Sequence, residues 1–517
     1  MGSNRKENIG GGAPRRWSVL GALAFAVMVL YVNTTALNVA LPVLSSTLNA
    51  TTDQMQWVVT AYNLAFAAII LPSGRLGDII GHRPILLAGM AVFLAGSLLA
   101  ALGNSIIELI AARAIMGLGA SAFTPMSLAI IPALFPKSEQ TRAMGIWTIA
   151  TVLGVPLGPI VGGTLLDAFG WQAIFWFDTV AVAAAIALCM QFVPKNKRTT
   201  GSLMHLPWSS MLLSTAGLVL LTWGMIDCQY SWTRVDAWAP TVGGLVLIVC
   251  FAVADTRSPA PLTALGLLRR GSFLLSALSL GFCNFAMFGL LFILPNYLET
   301  ILGNSGLVGG LMIMPMVATA IAGAALSNRL SGRIGRSALI VCSLVLSAVG
   351  LLVANFTEPS SGYAPMAFGL ALTGLGMGAG QPAALSLGMS EVPDGIASSG
   401  SALLTAIRQV CSVMGVAIIG SIVEVSYRTN GGNSGIMLPA EASDSVVGAF
   451  EAAKNFSGSA ADQIRSAATG SYVTAMDHAL IICSLLALIL GITAGSVLRK
   501  KKRRMLSAAK TGGHYDR

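Results

Sequence analysis

Runs of some twenty apolar residues, separated by short segments that hold most of the charges, recur along this chain from residue 17 to residue 498. A helix needs about 20 apolar residues to cross roughly 30 Å of hydrocarbon, and helices are one of the few structures that satisfy their own backbone there. The pattern predicts fourteen spans, at 17–42, 54–76, 84–103, 107–133, 143–167, 171–193, 206–226, 238–255, 272–298, 305–327, 337–355, 363–389, 398–424 and 475–498. An even number places both termini on one side. The chain reads as an all-α polytopic membrane protein.

Composition agrees: 55% of residues are hydrophobic and 10% charged, against about 25% charged in soluble domains. A net charge of +10 suggests nucleic acid until its distribution is mapped. With the termini in the cytoplasm, 25 of the 31 Lys and Arg residues fall in inner loops and tails. Only Arg234, Arg428, Lys454 and Arg465 lie outside, and Arg113 and Arg408 lie within spans. That asymmetry is the positive-inside bias of a multi-pass protein of the cytoplasmic membrane, so the expected partner is the lipid bilayer and not nucleic acid. Six of the seven cysteines fall in spans as packing residues, which implies no disulfide framework. The four histidines are scattered, so no metal site is expected. No cleavable signal peptide is evident, and the first span serves as its own insertion signal. There is no GxxxxGK[ST] loop and no paired catalytic constellation within the spans, so neither an enzyme nor a cofactor is expected.

Two patterns repeat. Gly-Leu-Gly followed by five residues and Pro occurs at 117–125 and again at 374–382, an offset of 257. The stretch 74–83, GRLGDIIGHR, has a degenerate echo at 328–337, NRLSGRIGRS, an offset of 254. Related six-helix bundles at 17–193 and 272–498 follow, with two inserted helices at 206–255, a cytoplasmic tail at 1–16 and a basic tail at 499–517. The long external segment 426–472 reads as a partly helical surface loop. Repeat-built transporters carry their substrate site near the midplane between halves.

Several polar or glycine-rich positions stand out. The stretch 74–83 reads as a surface loop whose glycines permit a tight turn. Arg113, inside a span, carries an insertion penalty of about 2.5–3.5 kcal/mol; it needs a partner, a water-filled cavity, or an outer interface to which it can snorkel. Gly154, Gly158 and Gly162 share one helix face and allow close approach of another helix, while Pro156 and Pro159 remove backbone donors. Asp178 lies about 10 Å into its span at 1.5 Å per residue, either as a proton carrier or in a structural hydrogen bond. Arg408 and Gln409 are too polar to face lipid.

These strings together resemble the Major Facilitator Superfamily, in particular its fourteen-helix drug:proton antiporters, across essentially all spans. The resemblance implies the major facilitator fold: two six-helix bundles plus two extra central helices. It implies that Gly74, Asp78, Gly81 and Arg83 form a conformational latch, with Asp78 complementing a helix start near Ser398. Arg113 would take part in proton coupling; Asp178 is the candidate proton carrier by its depth in the span and the scarcity of other acids there, not by the resemblance. The string of Gly154, Gly158, Pro159, Gly162 and Gly163 would mark an antiporter and hence export. Two positions depart from the family: Asn33 stands where many multidrug members carry an acid, and Asp178 stands where Asn is frequent. Scarcity of acids favours neutral, zwitterionic or weakly acidic amphiphiles over dications, in a cavity expected to include Asn33, Tyr62, Phe123, Trp147, Arg408 and Gln409. The expected function is efflux of small amphiphilic compounds such as antibiotics by a monomer driven by the proton gradient. The alternative is an exporter of an endogenous lipid, peptide or secondary metabolite; an uptake symporter or an intramembrane enzyme is disfavoured.

Overall fold

A computed structural model describes residues 13–48, 50–194, 207–228, 235–258, 261–304, 306–357, 362–432, 445–456 and 459–512, and among these there is no strand. The helices are α1 (Ala13–Thr47), α2 (Thr52–Ile80), α3 (His82–Leu102), α4 (Ile106–Leu134), α5 (Gln140–Phe169), α6 (Gln172–Phe192), α7 (Trp208–Cys228) and α8 (Val235–Arg257). After them come α9 (Gly271–Pro295), α10 (Gly306–Met312), α11 (Met314–Ile334), α12 (Arg336–Ala354), α13 (Ala364–Ser390), α14 (Ala397–Gly432), α15 (Val446–Ala453) and α16 (Ser459–Gly512). Among the described residues, thirteen helices are long and apolar enough to cross a membrane. The helix α13, which coincides with the expected span 363–389, is not one of them, because its six glycines and Gln381 dilute its hydropathy.

The chain divides into two compact units, one of Met1–Arg269 with Met389–Val410 and the other of Arg270–Gly388 with Cys411–Arg517. The division differs from the sequence reading in that the first unit takes up the opening turns of α14. Within that unit α1 packs along α5 and α6, α3 along α4 and α6, and α2 along α4 and α7. Glycines set these approaches: a Cβ at Gly89 on α3 would lie 2.8 Å from the Gly119 carbonyl oxygen on α4. Such closeness matters in lipid, where packing replaces a hydrophobic driving force between helices. The inserted pair α7–α8 is seated on α2 by Thr215, whose hydroxyl donates to the Ala68 carbonyl at 2.6 Å. Buried Asp255 ends α8 by accepting from the Leu262 and Thr263 amides at 2.6 and 3.1 Å.

In the second unit, α9 ends at Pro295 and continues as a π-turn, Asn296–Ile301. A second break at Ile313 separates α10 from α11. Each irregularity has a tyrosine beside it: the Tyr472 hydroxyl donates to the Ile293 carbonyl at 2.8 Å, and that of Tyr363 donates to the Met312 carbonyl. The expected loop 426–472 contains the end of α14, all of α15 and the first turns of α16, with 433–444 outside the described residues. α15 packs on the π-turn and on α16.

The repeat at offset 254 has a structural counterpart. Gly81, between α2 and α3, has φ +113°, and Gly335, between α11 and α12, has φ +86°. Their amides donate to the carbonyls of Gly77 and Ser331 at 3.0 and 2.9 Å. The stretch 74–83 is corrected by this geometry: α2 runs on to Ile80, so Gly74 sits inside a helix and only Gly81 makes the turn.

Candidate functional site

Four helices of the first unit bring their polar side chains to one buried point. Arg113 on α4 is 1% exposed, which rules out snorkelling in this structure. Its Nη1 donates to Asn33 Oδ1 on α1 at 2.7 Å, and its Nε donates to the Val58 carbonyl on α2 at 3.2 Å. The guanidinium lies 4.4 Å from the centre of the Tyr62 ring, a cation–π contact. Asn33 Nδ2 in turn donates to Asp178 Oδ2 on α6 at 2.5 Å. Asp178 is fully buried, and its Oδ1 has no hydrogen-bond partner among the described residues. The amide is thus a bridge, its oxygen turned to the cation and its nitrogen to the carboxylate.

This arrangement corrects one expectation and joins two others. Asn33, expected to line an open cavity, is 1% exposed and holds Asp178 to Arg113. The two positions expected to depart from the family pattern meet in one hydrogen bond between α1 and α6. The glycine string of α5 seats the helix that carries the bridge. A Cβ at Gly154 would lie 2.6 Å from Tyr31 Cβ, one at Gly158 2.8 Å from Ala36 N, and one at Gly162 2.9 Å from Ala36 Cβ. Gly163 has nothing within 4 Å and Pro159 is exposed, so these two play no part in that contact.

A second cluster surrounds the start of α14. Asp78 accepts from the backbone amides of Ser398 and Ser399 at 2.8 and 2.9 Å, and the Ser399 hydroxyl also donates to it. A carboxylate on the first free N–H groups of a helix satisfies orphan donors and complements the helix dipole. Gly74 and Gly77 make room for it: a Cβ at Gly74 would lie 3.0 Å from the Ser398 oxygen, and one at Gly77 2.6 Å from Ser398 Oγ. Arg83 does not join this cluster; its Nη2 donates to the Met190 carbonyl at 2.6 Å, near the end of α6.

Ten residues beyond Ser398, a rise of about 15 Å, Arg408 lies with its guanidinium 5.4 Å from the centre of the Trp147 ring. Trp147 Nε1 donates to Ser127 Oγ at 3.1 Å, and Gln409 Nε2 donates to Asn63 Oδ1 at 3.4 Å. Tyr62 belongs to the Arg113 cluster. Phe123 is corrected from cavity to core: it is 2% exposed and packs edge-on against Phe93 at 6.1 Å, between α3 and α4. Sequence reasoning missed Asn63, Ser127 and Ser399, single polar residues in apolar helices with no motif to mark them. Among the described residues, no group of three His, Cys, Asp or Glu side chains is placed to hold a metal.

Comparison with known proteins follows this geometry. A sequence profile of the Major Facilitator Superfamily matches residues 23–416. The multidrug resistance protein Stp of Mycobacterium tuberculosis (strain CDC 1551 / Oshkosh) is 32% identical over 408 residues, covering 78% of this chain and 75% of Stp. The multidrug efflux pump LfrA of Mycolicibacterium smegmatis is 28% identical over 493 residues, covering 94% of this chain and 97% of LfrA. The crystal structure of the human organic anion transporter MFSD10 (TETRAN) matches with a TM-score of 0.62, covering 91% of this chain and 99% of that one. At 16% identity this is a likeness of fold alone.

Proposed function

The chain belongs to the Major Facilitator Superfamily, a family of membrane transporters, and from that premise we propose that it exports small amphiphilic compounds such as antibiotics in exchange for protons. It does so across the cytoplasmic membrane, with both termini inside, as a monomer without cofactor. The names of Stp and LfrA support drug efflux as the task. The observation that carries proton coupling is Asp178, whose Oδ1 is buried and unpartnered while its Oδ2 is tied through Asn33 to Arg113.

A proton arriving on Asp178 removes the counter-charge of Arg113 in a medium of low dielectric, where electrostatic interactions are strongest. The protonated and ionised forms then favour different arrangements of α1, α4 and α6. Alternating access is a two-state equilibrium that each ligand biases by its differential affinity. The Asp78 cap on α14 is the contact formed in one of those states and released in the other. Acidified everted vesicles carrying a pH dye test this with matched cationic, neutral and anionic amphiphiles. Loss of ΔpH with one class, absent in Asp178→Asn, is expected. Equal responses from wild type and variant would remove Asp178 as the carrier.

A further inference from the structure

The two copies of the repeated stretch share a backbone and differ in charge. At offset 254, Arg75 corresponds to Arg329, Gly81 to Gly335 and His82 to Arg336, but Asp78 corresponds to Gly332. The first copy, 74–83, holds two arginines and one aspartate; the second, 328–337, holds three arginines and no acid. Surroundings differ as well. Around Gly74 and Gly77 the opening turn of α14 leaves no room for a methyl group, whereas Gly332 and Gly335 have nothing within 4 Å. The second copy keeps the turn and carries glycine where the first carries its acid.

We propose that 328–337 is a binding site for the headgroup of an anionic phospholipid. Arg329 and Arg333 are exposed and stand one turn apart on α11, so they lie on the same face. Leu326, one turn earlier on that face, is 43% exposed, and Ile334 beside the arginines is 49% exposed. Large apolar side chains left open on a spanning helix meet acyl chains. Arginines closing that face stand where the phosphates of the same lipids lie. The turn at Gly335 brings Arg336, at the start of α12, close to the last turn of α11. Guanidinium forks match phosphate oxygens in bidentate geometry. The apolar stripe leading into the cluster is what selects a lipid over a free anion.

The test uses the full-length protein in neutral detergent, titrated with phosphatidylglycerol and, separately, with phosphatidylcholine and with inorganic phosphate. The readout is the shift of the unfolding midpoint. Phosphatidylglycerol alone is expected to raise it for wild type. Arg329→Gln with Arg333→Gln should weaken the apparent affinity about 25-fold, at about fivefold per charge near a membrane surface. Because removing two arginines can also disturb folding, Gly332→Asp is a second variant that deletes nothing and enters open space; it should weaken binding about fivefold. A variant with its basic tail neutralised at Arg499 to Arg504 should respond like wild type. Unchanged affinity in both variants of the stretch would overturn the proposal, as would an equal shift with inorganic phosphate, or loss of the response in the tail variant alone.

Discussion

Exchanging Asn33→Asp with Asp178→Asn in one protein should preserve proton-driven efflux that Asp178→Asn alone abolishes. Asn and Asp share a shape, so the exchange keeps every heavy atom of the bridge, including the 2.5 and 2.7 Å contacts. Asp178→Asn by itself leaves Arg113 buried without a counter-charge, and breaking a buried pair in this way costs about 3–5 kcal/mol. Asn33→Asp by itself sets two carboxylates against each other at hydrogen-bond distance, an arrangement that needs a shared proton. The double exchange instead puts the new carboxylate in direct contact with Arg113 Nη1 and gives it the amide at position 178 as a donor. The stability loss of the double variant should then fall well below the sum of the singles, with a coupling energy at the upper end of the ~0.5–3 kcal/mol seen for residues in one network. Thermal unfolding of the purified variants measures that term, and dye-monitored proton release from everted vesicles measures the activity. A double variant that folds like wild type yet releases no protons would refute the idea that one acid, on either helix, does the coupling.

Three further outcomes follow from named contacts. Gly162→Val pushes a branched side chain into Ala36 on α1, where a single added Cβ already lies at 2.9 Å; overpacking of about 1–3 kcal/mol is expected, with lost coupling because α1 carries Asn33, whereas Gly163→Ala, a helical position with open space, should leave flux unchanged and raise stability by about 0.4–1 kcal/mol. Asp78→Asn leaves one acceptor oxygen where the carboxylate offers two, so one of the Ser398 and Ser399 amides loses its partner, and it removes the charge that complements the start of α14; a loss of about 1–3 kcal/mol is expected, and a cysteine placed at Ser401 should then react faster with a maleimide. Tyr472→Phe removes the hydrogen bond to the Ile293 carbonyl beside the π-turn, and an unfolding midpoint lowered in line with about 0.5–1.5 kcal/mol is expected, with full cooperativity retained.

The spans, the repeat and the polar residues that needed partners were legible from the chain alone. Twenty-residue apolar runs, loop charges and a turn that only glycine adopts easily are local or additive properties. They survive without knowledge of what packs on what. Gly81 and Gly335 could be matched at offset 254 before either φ was known, because the requirement for glycine is set by the backbone at that residue. Element ends were less legible: α2 runs through the expected loop and α16 begins at Ser459, since helices in a packed bundle extend as far as neighbours cover them. The partners of the buried polar groups were beyond the sequence. Nothing local links Asn33 to Asp178, 145 residues away, or Asp78 to Ser398, 320 residues away. Which cation, amide and carboxylate meet is decided by how closely the helix backbones approach, and here glycines at 154, 158 and 162 set that approach. The tertiary structure alone joined Asn33 and Asp178, far apart in the chain, into a single hydrogen-bonded pair.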